Sequence, residues 1–271
     1  MQNETVYQND DHLSKVDLSK LIIDLLHRTI IHYGMWYAEV YRQLGKERAE
    51  KIIENVSEEG YKLQIKRLAK TLGFELDEET AIPKYLLNLS HHDLLKLKES
   101  VAINWLALDG IWFQSVENEN ENENGSGLKS ACGMFDAKRC NDSCWAQFSP
   151  FEAASIKKFL KLQDNSGLEG LKSALKFRLY ASINKQSIVE EKVEESESSF
   201  VFRMDECRVQ SARKRKGLED YPCKSAGVVE YSSFAFAIDS RIVTECIGCP
   251  PDKHPEEWSC SWRFSIKNKA K

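Results

Sequence analysis

The first part of the chain is dominated by a helical pattern of apolar residues. Over residues 16–74, apolar side chains recur about every 3.6 positions, which is typical of amphipathic helices. Gly45 interrupts this pattern, so two consecutive helices are predicted rather than one. Ser90 is a favourable N-cap residue and predicts a further helix that begins at His91.

Two pairs of segments in this helical part resemble each other. The segment "HYGMWYAEV" (32–40) aligns with "LDGIWFQSV" (108–116), and "IKRLAKTL" (65–72) aligns with "IKKFLKL" (156–162). The second match is offset further than the first by about the length of a polar, low-complexity loop at 117–130. We therefore predict two degenerate copies of one helical unit. Chance similarity between short amphipathic helices is the alternative.

The C-terminal part has a different pattern. One more amphipathic helix is predicted over 168–191, followed by a charged linker. "FVFRMDE" alternates like a strand, and "RVQSARKRKG" indicates a short helix closed by Gly217. After Pro222 a second helix is predicted, and then "SRIVTEC" and "WSCSWRFSI" as an antiparallel hairpin. The predicted fold class is α+β, with a mainly helical domain at 16–190 and a small α+β domain at 199–267.

Composition and charge narrow the classes of partner. The 271 residues are 42% hydrophobic and 30% charged, with a formal net charge of −4, which favours neither nucleic acid nor an anionic membrane. No apolar run approaches the ~20 residues that span a bilayer. The first residues are polar and acidic and lack the features of a secretory signal. We therefore expect a cytoplasmic protein, in which thiols stay reduced and disulfides are rare.

Eight cysteines in a reducing compartment make metal binding the leading interpretation for those with suitable spacing. Cys246 and Cys249 form a Cys-x-x-Cys at the end of a predicted strand, and Cys260 returns on the partner strand. Cys223 is a suitable fourth ligand because it lies at a predicted helix start, where the helix dipole favours a thiolate. Four thiolates would form a closed, structural zinc site. An iron–sulfur cluster and metal-free thiols are the alternatives.

The order of these C-terminal elements resembles the small zinc domain named after the 4-vinyl reductases, which also occurs in aromatic-sensing transcription activators. It is similar as well to the aminothiazoline-carboxylate hydrolases. The resemblance is carried by Cys223, Cys246, Cys249 and the "CSW" that begins at Cys260. It implies a metal held by three cysteines and a carboxylate, with Cys246 at the carboxylate position here. It also implies a pocket beside the zinc for a small, often aromatic or acidic molecule.

A broader resemblance covers residues 20–266 and points to a family of uncharacterised prokaryotic cytosolic proteins. It is carried by "NWLALDGIWFQSVE", "CNDSCW", "RMDECRVQSARKRKGL" and "ECIGCPPDKHPEEW". This family implies no function. Within "CNDSCW", Cys140 and Cys144 would share one face of a helix, and packing is the favoured interpretation over a second metal site.

These observations predict a metal-binding protein with a small-molecule pocket. Arg208 and Arg213 on the predicted short helix are candidates for holding an anionic ligand or a carboxylate. The alternative function is a cysteine-dependent hydrolase of a small heterocycle or amide, with Cys223 or Cys207 as nucleophile and His254 as the one histidine of this domain. The competing interpretation of Cys207 is a buried small hydrophobe. A third option is a scaffold in which metal only stabilises a small domain.

Overall fold

A computed structural model describes residues 14–118, 131–191, 197–217 and 219–267. The chain divides into two compact units, Met1–Leu87 and Asn88–Lys271. The predicted domain boundary at 190–199 therefore lies inside the second unit. The predicted loop at 117–130 falls outside the described residues from position 119 onward. Within the described ranges, no helix combines the length and apolarity needed to cross a membrane.

The first unit is built around two consecutive helices that contact each other. It contains α1 (Lys15–Leu44), α2 (Lys46–Leu72) and the short α3 (Lys84–Leu87). The hydroxyl of Ser14 caps α1 by accepting a hydrogen bond from the backbone N–H of Asp17 at 3.1 Å. Gly45 separates α1 from α2 with φ of 80°, a conformation that favours glycine. The break predicted at Gly45 is therefore confirmed.

The second unit combines helices with an antiparallel sheet, so the α+β class is confirmed. Its helices include α4 (His91–Glu117), α5 (Ala131–Leu160), α6 (Gly167–Leu175), α7 (Arg208–Arg215) and α8 (Lys224–Ile238). Its strands are β1 (Lys185–Glu190), β2 (Glu197–Glu206), β3 (Val243–Gly248) and β4 (Cys260–Lys267), in the order β1-β2-β4-β3. The predicted succession strand–helix–helix–strand–strand holds from β2 to β4.

Strand β1 corrects a prediction. The sequence pattern predicts one amphipathic helix over 168–191, but α6 ends at Leu175 and the segment from Lys185 to Glu190 is a strand. Ile188 and Val189 pair with residues in the middle of β2. Such β-branched side chains favour a pleated surface. Pairing with the apolar β2 therefore overrides the local helical pattern.

The segments predicted to be repeated lie in two helix pairs. Residues 32–40 lie in α1 and residues 108–116 in α4, while residues 65–72 lie in α2 and most of 156–162 in α5. Helix α1 contacts α2, and α4 contacts α5. Each predicted copy thus corresponds to contacting helices within its own unit. The duplication itself remains a prediction.

The core of the second unit lies between the sheet and α8. Alternate residues of β2 and β4 supply fully buried aromatic side chains, namely Phe200, Phe202, Trp262 and Phe264. Tyr231 of α8 packs on Trp262, with ring centroids 4.8 Å apart. Gly227 permits this close approach, because a Cβ there would lie 2.6 Å from Cζ2 of Trp262. Tyr231 and Gly227 of α8 together therefore fix the position of Trp262.

A buried ion-pair network connects α5 and α8. Arg178 is 2% exposed and donates from Nε to Glu152 of α5 at 2.9 Å and from Nη1 to Glu230 of α8 at 2.6 Å. The hydroxyl of Tyr180 also donates to Glu230. Burial raises the pKa of Glu230, and the guanidinium of Arg178 opposes that effect. The network therefore holds α5 and α8 together.

Candidate functional site: a thiol cluster beside an aromatic cavity

Four cysteines come together where β2, β3, β4 and α8 meet. Cys223 directly precedes α8, Cys249 directly follows β3, and Cys260 begins β4. The Sγ atoms of Cys223 and Cys249 lie 3.4 Å apart. Cys260 is close enough to raise the pKa of Cys249. Cys207, just before α7, is close enough to Cys223 and Cys260 for them to raise its own pKa.

Backbone contacts hold these thiols in place. The N–H of Lys224, at the start of α8, donates to the carbonyl of Pro250 at 2.9 Å, which connects α8 to the loop after β3. The N–H of Ser259 donates to the carbonyl of Met204 at 2.7 Å, and Cys260 pairs with Met204 in the β2–β4 ladder. The cysteines are thus placed by the ends of regular elements and not by a free loop.

The thiols differ in their tendency to ionise. The hydrogen bond between Cys223 and Cys249 lowers the pKa of Cys223, and Gln210 Nε2 donates to the same sulfur at 3.5 Å. The pKa of Cys249 is raised in turn by its bonds to Cys223 and Cys260. Burial raises the pKa of Cys207 to about 12. The pKa of Cys223 is thus lowered, whereas the pKa values of Cys249 and Cys207 are raised.

Three of the four predicted metal ligands, Cys223, Cys249 and Cys260, lie together in this cluster. Cys246 lies on β3 opposite Trp262, and burial raises the pKa of its half-buried thiol. In the described part of the chain, no three or more Cys, His, Asp or Glu side chains form a group that could hold a metal ion as they stand. Thiolates on one zinc ion are about 3.8 Å apart, given Zn–S bonds of ~2.3 Å. The spacing between Cys223 and Cys249 is close to that value, so this pair fits zinc, and the complete site remains a prediction.

A cavity of about 600 Å³ lies beside the thiols, entirely within the second unit. Part of its wall is formed by Cys207, Cys223, Cys249 and Cys260. Much of the remaining wall is aromatic and includes Trp105, Phe113, Trp145, Tyr180, Tyr221 and Trp262. A cavity of this size and composition fits a small organic molecule.

Three polar side chains of this cavity have no hydrogen-bond or ion-pair partner among the described residues. Trp262 is 1% exposed, and its Nε1–H finds no acceptor among the described residues. The buried hydroxyl of Tyr221 is likewise unpaired. Asp109 of α4 lines the cavity, and burial raises the pKa of its carboxyl. A buried polar group without a partner costs about 1–3 kcal/mol, which a ligand that pairs with it recovers.

Both predicted anion-binding arginines line the cavity. Arg213 donates from Nε to the carbonyl of Glu219 at 2.6 Å. Arg208 is exposed, and its backbone N–H donates to Asn184 Oδ1 at 2.8 Å. Its guanidinium has no hydrogen-bond or ion-pair partner within the residues that the structure describes. Arg208 is therefore the better placed of the two to bind an anionic group.

The described contacts of Cys223 and His254, both predicted for hydrolysis, are with other residues. The side chain of Cys223 contacts Gln210 and Cys249, and neither is a general base. His254 instead contacts the carbonyl of Pro255 through Nδ1 at 2.8 Å and stacks on Trp258, with ring centroids 5.6 Å apart.

Cys140 and Cys144, the pair on α5, are exposed free thiols. The predicted packed face is therefore not buried at these positions.

Sequence reasoning missed the part of the cavity formed by α4 and by the segment before α8. Asp109 lies in "NWLALDGIW", where a single carboxylate among apolar and aromatic residues is the one local signal of a special environment. Tyr221 gives no such signal, because its meeting with Phe113 of α4, at 5.3 Å between ring centroids, depends on contacts between distant segments.

Comparison with known proteins identifies one related group. The model of a family of unknown function, DUF6125, matches residues 84–266, which is more than half of the chain. No curated protein and no solved structure matches the chain. The matched region covers nearly all of the second unit, including the thiol cluster and the cavity. The resemblance to the zinc domain and to the hydrolases therefore rests on the cysteine motif alone.

Proposed function

The chain belongs to this family of unknown function, and we propose from its second unit that it binds a small aromatic molecule beside a structural zinc–thiolate centre. One observation carries the proposal: the cavity of about 600 Å³ joins aromatic walls to the unpaired Nε1–H of the buried Trp262. An aromatic ligand with a hydrogen-bond acceptor satisfies both features, since rings pack on rings and the indole donates.

The proposed metal ligands are Cys223, Cys249, Cys260 and Cys246. Zinc held by four thiolates is coordinatively closed, so it would stabilise the junction of the sheet and α8 and not activate a substrate. The same thiols are suitable for an iron–sulfur cluster, which is the alternative cofactor. Both options require reduced cysteines, in keeping with a cytoplasmic location.

The proposed ligand carries an anionic group that Arg208 binds. The unpaired guanidinium of Arg208 at the cavity supports this, because a guanidinium can hold a carboxylate through two parallel hydrogen bonds. Arg213 is partly engaged with Glu219, so its contribution would be smaller.

Titration calorimetry with phenylacetate tests the proposal. We expect binding to the wild-type chain and about tenfold weaker binding to Arg208→Gln, the loss expected for one charge-assisted hydrogen bond. Lys214→Gln is the matched control, because Lys214 is exposed on the same helix. Equal weakening in both variants, or no binding to the wild-type chain, would contradict the proposed anion site.

Hydrolysis by Cys223 is the competing function for this cavity. The variant Cys223→Ser separates the two, because the proposed role makes Cys223 a zinc ligand. We expect the variant to lose zinc and stability. A variant that keeps zinc and its melting temperature but loses turnover of an amide or thiazoline substrate would support the hydrolase instead.

A further inference from the structure

Asp109 is a carboxylate in an environment that does not suit a lone negative charge. It lies on α4, it lines the cavity, and it is partly buried. No hydrogen bond or ion pair joins its side chain to another described residue. Burial without a compensating partner disfavours the ionised form, as the raised pKa of Asp109 reflects. A ligand that brings a hydrogen-bond donor or a positive charge would remove this penalty.

The surroundings of Asp109 are aromatic. Phe113 follows one helical turn later on α4, and its ring packs edge to face on Tyr221. The charge of Asp109 is near enough to raise the pKa of Tyr221. The electron-rich faces of aromatic rings attract cations, most strongly where water is excluded. Aromatic rings and a carboxylate together form a suitable site for an organic cation.

Two cationic side chains beside the cavity, Lys138 and Arg213, already have partners. Lys138 lies over the ring of Tyr221, with Nζ 4.8 Å from the centroid, and pairs with Asp142 at 3.3 Å. Arg213 donates to a backbone carbonyl. Among the described residues, no cationic side chain forms an ion pair with Asp109.

We propose that Asp109 binds the protonated nitrogen of the cavity's ligand, so that this ligand is an aromatic amine that also carries the anionic group proposed for Arg208. The inference rests on the proposed function and narrows the class of molecule that the cavity takes. The ammonium group donates to the carboxylate of Asp109, while the ring of the ligand packs among the aromatic side chains of the wall. The hydroxyl of Tyr221 is a further acceptor for the same nitrogen.

A pair of isosteric probes tests this inference by titration calorimetry. 2-Phenylethylamine and 2-phenylethanol have nearly the same shape, but only the amine is cationic at neutral pH. We expect the wild-type chain to bind the amine about 10- to 100-fold more tightly, as a charge-assisted hydrogen bond predicts. Asp109→Asn should abolish most of this preference without weakening the binding of the alcohol. Asp136→Asn, on α5 and outside the cavity, should leave the preference unchanged.

The possible results separate this inference from the proposed function. Equal affinities of the wild-type chain for amine and alcohol would overturn the role of Asp109 while leaving an aromatic site. The same preference in Asp109→Asn as in the wild-type chain would also overturn it. Binding of neither probe, together with no binding of phenylacetate, would overturn the proposed function itself. Melting curves of both variants confirm that each is folded before titration.

Discussion

Replacing Arg178 by methionine removes the one cation of the buried network while retaining much of the side chain's length. Two carboxylates with little exposure, Glu152 at 6% and Glu230 at 9%, then lose their partner. The guanidinium also leaves the rings of Tyr180 and Phe234, each 4.6 Å away. Breaking a buried pair from one side costs about 3–5 kcal/mol. At about 2–4 °C per kcal/mol, the unfolding transition of the second unit should fall by roughly 6–20 °C.

The pH dependence of this loss tests the electrostatic explanation. Without Arg178, burial raises the folded-state pKa of Glu230 above the unfolded value, so the folded state binds more protons and the deficit shrinks as the pH falls. Melting curves of Arg178→Met by circular dichroism at pH 7 and pH 5 should therefore differ, and adding Glu230→Gln should restore part of the stability. A loss below about 1 kcal/mol, unchanged by pH and unrelieved by Glu230→Gln, would refute this reasoning.

Three further substitutions probe the core, a buried carboxylate and the cavity. Gly227→Ala would place a Cβ 2.6 Å from Trp262, so urea denaturation should show a free energy of unfolding lower by about 1–3 kcal/mol. Gly110→Ala is the control, because nothing lies within 4 Å of the added Cβ, and it should be neutral or stabilising. Equal effects would refute the packing argument. The pKa of Asp239 is lowered to about 2 by the guanidinium of Arg241. Asp239→Asn should therefore lower the free energy of unfolding by about 2 kcal/mol at pH 7 but only a little at pH 2, where the wild-type chain has lost this stabilisation too. An equal loss at both pH values would contradict this explanation. Burial raises the pKa of Asp109, so its ionised form destabilises the folded state above that pKa. The melting temperature of Asp109→Asn should therefore be higher than that of the wild-type chain at pH 8 and equal to it at pH 3. A lower melting temperature at pH 8 would mean that Asp109 has a partner.

Local patterns were sufficient to predict the elements from β2 to β4. Alternation defines β2, and Gly217 with φ of 65° ends the segment of α7 as its position in the sequence suggests. Strand β1 could not be predicted in this way, because its helical periodicity is local while its pairing with β2 is not. The outcome depended on the partner strand, which a pattern within residues 168–191 does not contain.

The candidate site could likewise be predicted from the sequence only where its contacts are local. Cysteine spacing predicted that Cys249 and Cys260 would approach each other, because a hairpin brings its two ends together. The addition of Cys207 depends on how α7 leaves β2, and the place of Asp109 in the cavity depends on how α4 packs in the second unit. These are contacts between segments far apart in the chain, and no local pattern encodes them.

The central claim is that the thiol cluster holds zinc beside a ligand cavity, and metal content measured by native mass spectrometry tests it most directly. The account predicts one zinc ion per wild-type chain, its loss in Cys249→Ser, and its retention in Cys140→Ser, which alters an exposed thiol of α5. A wild-type chain that is folded and metal-free after purification with zinc, or a Cys249→Ser variant that retains the full metal content, would contradict it.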